Sequence, residues 1–259
     1  MSRSPVIIVT GASKGIGLAV TKILLNKYSA IVVTLSRTIT SELRDLASDR
    51  LLTLQCDVAN ENAVLESVNK TIEKYHHIDG LVLNAAVLEP MCRIGDDTPI
   101  SAWKTHFDVN FFSLVTSIKA ALPSLRRSDL RGKIVFVSSG AAVKGTPGWG
   151  PYNASKAAMN SLCRTLAEEE PSVTSVALRP GVVDTAMQTA IRAPDAAKIL
   201  GEGQAAFIDL HAKGSLLKPE TPGHVIAGLS VFCPQELSGK FVNWNDDVCQ
   251  PFVSDSESQ

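Results

Sequence analysis

The chain has 259 residues, 45% hydrophobic and 20% charged, with a formal net charge of −1. That length buries a sizeable core in one large domain or two small ones. The balanced charge gives no electrostatic basis for holding nucleic acid or an anionic membrane surface, and no apolar run approaches the roughly 18–20 residues needed to cross a bilayer.

The predicted elements alternate along the chain. PVIIVT (5–10), AIVVTL (30–35), LLTLQC (51–56), IDGLVL (78–83), KIVFVS (133–138), VTSVAL (173–178) and GKFVNW (239–244) read as strands. Several are apolar on successive positions, as suits parallel strands covered on both faces. Residues 15–27, 60–74, 100–126 and 151–169 have helical length and periodicity, the second opening on the capping candidates Asn60 or Asp57. Alternation of this kind predicts an α/β fold, a doubly wound seven-stranded parallel sheet with helices on both faces. No Pro/Gly/Ser-rich linker divides the chain, so residues 1–250 are expected to form one domain. Residues 186–219 lack strand character and are expected to form a flap over a site. Residues 251–259 end in the polar SDSESQ and are expected to be a disordered tail.

Cys56, Cys92, Cys163, Cys233 and Cys249 show no CxxC or Cys/His spacing, and the five histidines form no HExxH. The thiols are therefore expected to be free, in a reducing, cytoplasmic compartment, and no metal is expected. The first strand-like run begins by Val6, which leaves no room for a signal peptide.

VTGASKGIGLAV joins the first strand to the first helix. Gly11, Gly15 and Gly17 let the chain turn tightly and approach a ligand closely, and the helix start offers unpaired N–H groups to an anion such as a pyrophosphate. Ser13, Lys14 and Ile16 complete that turn. Nineteen and twenty residues beyond Gly17 stand Ser36 and Arg37. A dinucleotide site that prefers NAD places a carboxylate there. An arginine with no acid can instead hold a 2′-phosphate, with Lys14 as a second cation, which argues for NADP(H). A tight turn with no ligand and a solvated Arg37 are the plain structural alternatives.

Farther along come NAA (84–86), FDVN (107–110), VSSG (137–140) and YNASK (152–156). With TGASKGIG, in this order, they make the chain resemble the short-chain dehydrogenase/reductase family over about residues 5–245. LNAAVLEP and SGKFVNW are similar to its sepiapterin reductase and fungal benzil reductase branch. The resemblance implies a Rossmann fold and a carbonyl reductase. It implies adenine contacts at Asp57 and Val58 and cofactor contacts at Asn84 and Ala85, with Ala86 where the family usually has Gly. Pro180, Gly181, Val183 and Thr185 match the family's nicotinamide contacts, although a strand-end turn with Thr185 as helix cap fits the same sequence. Tyr152 would be the proton donor. Lys156, one helical turn along, would lower the phenol from its usual pKa of about 10 and hold the nicotinamide ribose. Ser139, with Ser138 as its alternative, would donate to the developing alkoxide. Asn110 would hold a water that connects the lysine to solvent. Trp149 could stack on a planar substrate or simply be packing. No cationic residue there is an obvious anchor for an acyl-carrier or phosphate substrate, Lys144 being the only nearby candidate, so an uncharged diketone or pterin side-chain ketone is the favoured substrate. The resemblance also implies a homodimer or homotetramer through helices 100–126 and 151–169. A non-catalytic NADP(H) sensor and an NAD-linked alcohol dehydrogenase remain as alternatives.

Overall fold

The computed structural model describes residues 3–253. Its strands are β1 (Val6–Thr10), β2 (Ile31–Ser36), β3 (Leu51–Gln55), β4 (Gly80–Leu83), β5 (Lys133–Val137), β6 (Thr174–Arg179) and β7 (Phe241–Asn243). They form one sheet in the order β3-β2-β1-β4-β5-β6-β7, every neighbouring pair parallel. The helices are α1 (Gly15–Asn26), α2 (Ser41–Arg44), α3 (Glu61–Tyr75), α4 (Ile100–Phe107), α5 (Ser113–Leu125), α6 (Gly150–Glu169), α7 (Ala186–Arg192), α8 (Ala197–Leu200), α9 (Gly203–Ala212) and α10 (Glu220–Phe232).

Successive strand side chains point to opposite faces, which is why both neighbours in a run must be apolar when helices cover both sides. Ile8 and Phe136 join Leu114, Met159 and Cys163 beneath α3, α5 and α6. Ile7, Val9 and Val135 join Val20, Leu24 and Ile226 beneath α1 and α10. Strand order reverses between β1 and β4, and the carboxyl ends at that point open the crevice where α/β sheets bind ligands.

Asn60 caps α3, its Oδ1 accepting from Ala63 N at 3.0 Å, while Asp57 accepts from Ala59 N at 3.1 Å one turn earlier. The single helix expected over 100–126 is interrupted. Asp108–Phe112 form a π-type segment between α4 and α5. The reason is Asn110, whose side-chain amide is drawn onto the backbone of Val87 with two 2.8 Å bonds. Such bulges turn a side chain out of the helical register.

The expected flap is helical. Residues 186–219 carry α7, α8 and α9, tied by Gln204 Nε2 donating to Ile191 O at 2.9 Å and Ala193 O at 2.8 Å. At its base Asp184 N donates to Leu217 O and Leu217 N to Val182 O. Of the stretch expected to be a tail, Pro251 and Phe252 lie in a short helical turn, Asp247–Phe252, and the Phe252 ring packs against Gly228. An aromatic side chain next to a glycine on α10 is held by burial despite its polar neighbours. Residues 254–259 lie outside the described residues.

Candidate active site

A cavity of about 990 Å³ runs along the carboxyl ends of the strands. Every residue singled out above as catalytic, cofactor-binding or substrate-binding lines it, except Gly17 and Asn110.

The glycine turn is built for close approach. Gly11 has φ +66°, and a Cβ there would stand 2.8 Å from Ala85 Cα. Gly17 faces inward, where a Cβ would meet the Gly11 carbonyl at 2.4 Å, so its part is to hold the turn rather than to touch a ligand. Helix α1 starts after Lys14 with no side-chain cap and no acid in its first turn. Its free N–H groups therefore face the cavity with nothing of the protein's own to neutralise the helix dipole. Lys14, Ser36 and Arg37 stand along the same wall, and no ion pair engages Lys14 or Arg37 among the described residues. These donors and the missing Cβ atoms fit a dinucleotide phosphate.

Thr10, at the end of β1, accepts from Asn84 N and Ala85 N at 3.0 Å each. Asn84 Nδ2 donates to Thr10 O at 2.9 Å and Gly11 O at 3.1 Å. The Asn84 side chain is thus a brace between β1 and β4, and the residue still borders the cavity. Ala86 is not among the positive-φ residues, so the turn takes its Cβ without strain. Thr185 occupies the N-cap position of α7, but its side chain makes no capping bond.

Helix α6 sets the reactive group. Pro151 in its first turn has the φ a helix start needs, and Tyr152 and Lys156 then share one face. Both are buried, and Lys156 Nζ stands 5.7 Å from the centre of the Tyr152 ring while donating to Val137 O at 2.8 Å. Ser139, just beyond β5, lines the cavity with Tyr152, and its hydroxyl favours the ionised phenol. Ser138 also lines the cavity, and its hydroxyl donates to Asn160 Oδ1 at 2.6 Å.

The depression of the phenol expected from Lys156 is not found. Burial pushes Tyr152 up from the ordinary phenol value, with the neighbouring Ser139 hydroxyl opposing it in part. Burial likewise lowers the Lys156 ammonium to about 7. Both charged forms lose hydration, and the lysine, directed to a carbonyl and only fractionally charged near neutrality, offsets little of the tyrosine's loss.

Asn110 lies beside this pair, fully buried, its amide occupied by Val87, His106 Nε2 at 2.9 Å and Ser155 Oγ at 3.4 Å. Its side chain is therefore fully engaged within the protein, which leaves the main chain of the π-type segment for any water it would hold.

Trp149 stacks on Phe207 of α9, with centroids 5.5 Å apart at 29°, and meets the Tyr152 ring edge-on at 5.6 Å. Leu88, Met187 and Ile191 extend this apolar wall.

Sequence reasoning passed over several residues. Thr40, at the start of α2, donates to Ser13 O at 3.0 Å and lines the cavity. Arg179 also lines it, with Nε 2.9 Å from where a Cβ on Gly140 would stand. Lys144 is thus not the nearby cation standing alone. The arginine's place directly before Pro180 was the available signal. Phe207 was hidden in the flap. His106 carried a signal in its i, i+4 spacing to Asn110.

Comparison with known proteins agrees with this fold. The family model described as short chain dehydrogenase matches residues 5–196. An oxidoreductase of Schizosaccharomyces pombe is 41% identical over 94% of this chain and 97% of its own length. A benzil reductase of Saccharomyces cerevisiae, named as forming (S)-benzoin, is 37% identical over 95% of this chain and 98% of its own. The crystal structure of a Saccharomyces cerevisiae short-chain dehydrogenase/reductase superposes with TM-score 0.91 at 34% identity, covering 97% of this chain and all of that one. With a seven-stranded parallel sheet, a glycine turn at its switch point and a buried Tyr/Lys pair beside Ser139, this chain belongs to the short-chain dehydrogenase family of oxidoreductases.

Proposed function

We propose that the protein is an NADPH-dependent carbonyl reductase of uncharged ketones, 1,2-diketones first among them. The observation that carries this reading is the buried Tyr152–Lys156 pair lining one cavity with Ser139, set against the aromatic wall of Trp149 and Phe207. The family binds a nicotinamide cofactor, and when bound that group supplies the hydride. Lys14 and Arg37 would hold a 2′-phosphate, the uncapped start of α1 the pyrophosphate, and Val183 and Thr185 the carboxamide.

The chain's own residues then handle the substrate oxygen. Tyr152, held protonated at neutral pH by burial, donates its proton to the carbonyl oxygen. Ser139 donates a hydrogen bond to the same oxygen as negative charge develops on it. The phenolate left behind is stabilised by Lys156 in its ammonium form. A phenol that rests neutral favours reduction over the reverse direction, where it would have to begin as a base. The aromatic wall suits a flat, apolar substrate, and the diketone reduced by the yeast relative is of that kind. Exposed Ile100 at the start of α4 and Phe112 in the π-type segment support the pairing of these helices with α6 in a dimer or tetramer.

NADPH consumption across diketones, aldehydes, pterins and acyl thioesters tests the reading. We expect turnover of diketones, lowered by about 10²–10⁴ in Tyr152→Phe with NADPH binding kept. Arg37→Asp should weaken NADPH binding sharply and spare NADH. Unchanged turnover in Tyr152→Phe would remove the proton-donor role. Binding of NADPH without turnover of any carbonyl would leave a sensor protein. Equal loss of both cofactors in Arg37→Asp would defeat the phosphate assignment.

A further inference from the structure

His106, on α4, is 1% exposed and sits behind the catalytic helix, outside the cavity lining. Its hydrogen bonds can be assigned from groups whose roles cannot change. Nδ1 stands 2.7 Å from the Glu89 carbonyl, which only accepts, so Nδ1 carries the proton. Asn110 Oδ1 stands 2.8 Å from Val87 N–H, which only donates, so the amide orientation is fixed and Asn110 Nδ2 faces His106 Nε2 at 2.9 Å. Nε2 must then be the bare, accepting nitrogen. It also faces Ser155 Oγ at 3.1 Å, and Ser155 reaches the Tyr152 carbonyl at 2.9 Å. Asn110 and Ser155 are both fully buried.

We propose that His106 is a positioning residue whose neutral, Nδ1-protonated ring locks the segment Val87–Glu89 to helix α6 and so fixes where Tyr152 stands beside the substrate pocket. The proposal rests on the reductase reading of that pocket. Val87, Leu88 and Glu89 border the cavity directly, and Ser155 lies between Tyr152 and Lys156 in sequence. A second proton on His106 would set an N–H against the Asn110 N–H. Turning the Asn110 amide to relieve this would set both its ends against the wrong groups of Val87. One proton therefore costs the Val87 latch and the Nε2 acceptor together.

The groups facing the ring are Lys156 from α6, which opposes a second proton, the exposed Glu89 carboxylate from the loop, which favours one, and the neutral Tyr152 phenol, whose ring centre is 6.3 Å away. Burial is the largest influence and, with Lys156, holds the imidazole below its ordinary range.

The test uses the full chain with NADPH and benzil as probe, in wild type, His106→Leu and His106→Gln. Glutamine can present an acceptor near the Nε2 position and leucine cannot. We expect kcat to fall about tenfold or more in His106→Leu, in line with the cost of a small misplacement, with KM for NADPH within about twofold and recovery to within about threefold in His106→Gln. Wild-type kcat should show an acid limb that His106→Gln lacks. Nitrogen NMR of histidine-labelled protein should show the Nδ1-protonated tautomer at neutral pH. Equal losses in both variants, a wild-type kcat in His106→Leu, or an Nε2-protonated ring would overturn the proposal. If wild type reduced no ketone the reductase reading would fall, while the tautomer measurement would still decide the latch.

Discussion

Lys156 is among the largest fully enclosed side chains of the protein, and its only oxygen partner among the described residues is Val137 O. Its ammonium titrates near 7 rather than in the usual lysine range. The sign of the consequence follows from proton counts. Between pH 7 and the ordinary lysine value of about 10.4, the unfolded chain holds a proton that the folded one has released. Stability therefore rises with pH across that window, and the burial penalty is fully present below it. Lys156→Met keeps the length of the side chain and removes the charge. We expect it to abolish reduction yet raise Tm at pH 7 by about 4 °C or more, and to flatten the rise in Tm between pH 7 and 10. Thermal melts of the two proteins at both pH values check this, and a lower Tm for the methionine variant at pH 7 would contradict it. A residue that costs stability where it sits is a mark of function at that position.

At the scale of elements, Asp79 ties several together just before β4. It accepts from Arg3 through both oxygens, from Ser128 Oγ and from Val6 N, joining β1, the start of β4 and the turn after α5. Burial alone would raise its pKa, but the bonds from Arg3, Ser128 and Val6 outweigh that and hold the carboxyl below its usual range. The stability it gives is present above the unfolded value and is lost as pH falls through the lower folded value, in the window below about pH 4. Asp79→Asn should cost roughly 2 kcal/mol at pH 7, or about 4–8 °C in Tm, with the gap from wild type closing at acid pH. Thermal melts across that range decide it. The same scale shows what could be read from sequence. The seven strands were legible because double-sided burial forces unbroken apolar runs. The glycine turn and the Tyr/Lys pair were legible because turn chemistry and helical spacing are local. The break at Asp108–Phe112 was not, because it answers to Val87, more than twenty positions away. Nor was the direction of the Tyr152 shift, which depends on how deeply tertiary packing buries the ring.

Across the whole molecule the five thiols report on integrity. All are buried and free, and burial pushes Cys163 and Cys233 up to about 12 and Cys249 to about 11. The thiolate is the reactive form, so these three should resist a disulfide reagent at pH 8 in the folded protein and react together when denaturant unfolds the chain. Cys56 lines the cavity and should react before them, more slowly once NADPH is added. Prompt reaction of the three deep thiols in the folded protein would mean that the layers around the sheet open locally.

The bridge at Val182, Asp184 and Leu217 brings together the two points where the helical excursion over the pocket leaves and rejoins the body. Chain can be let out or taken in between those points without pulling on the sheet, since the ends are already side by side. Selection can thus retailor the roof above the cavity while the strand ends that form its floor stay untouched, which gives one scaffold room for many substrates.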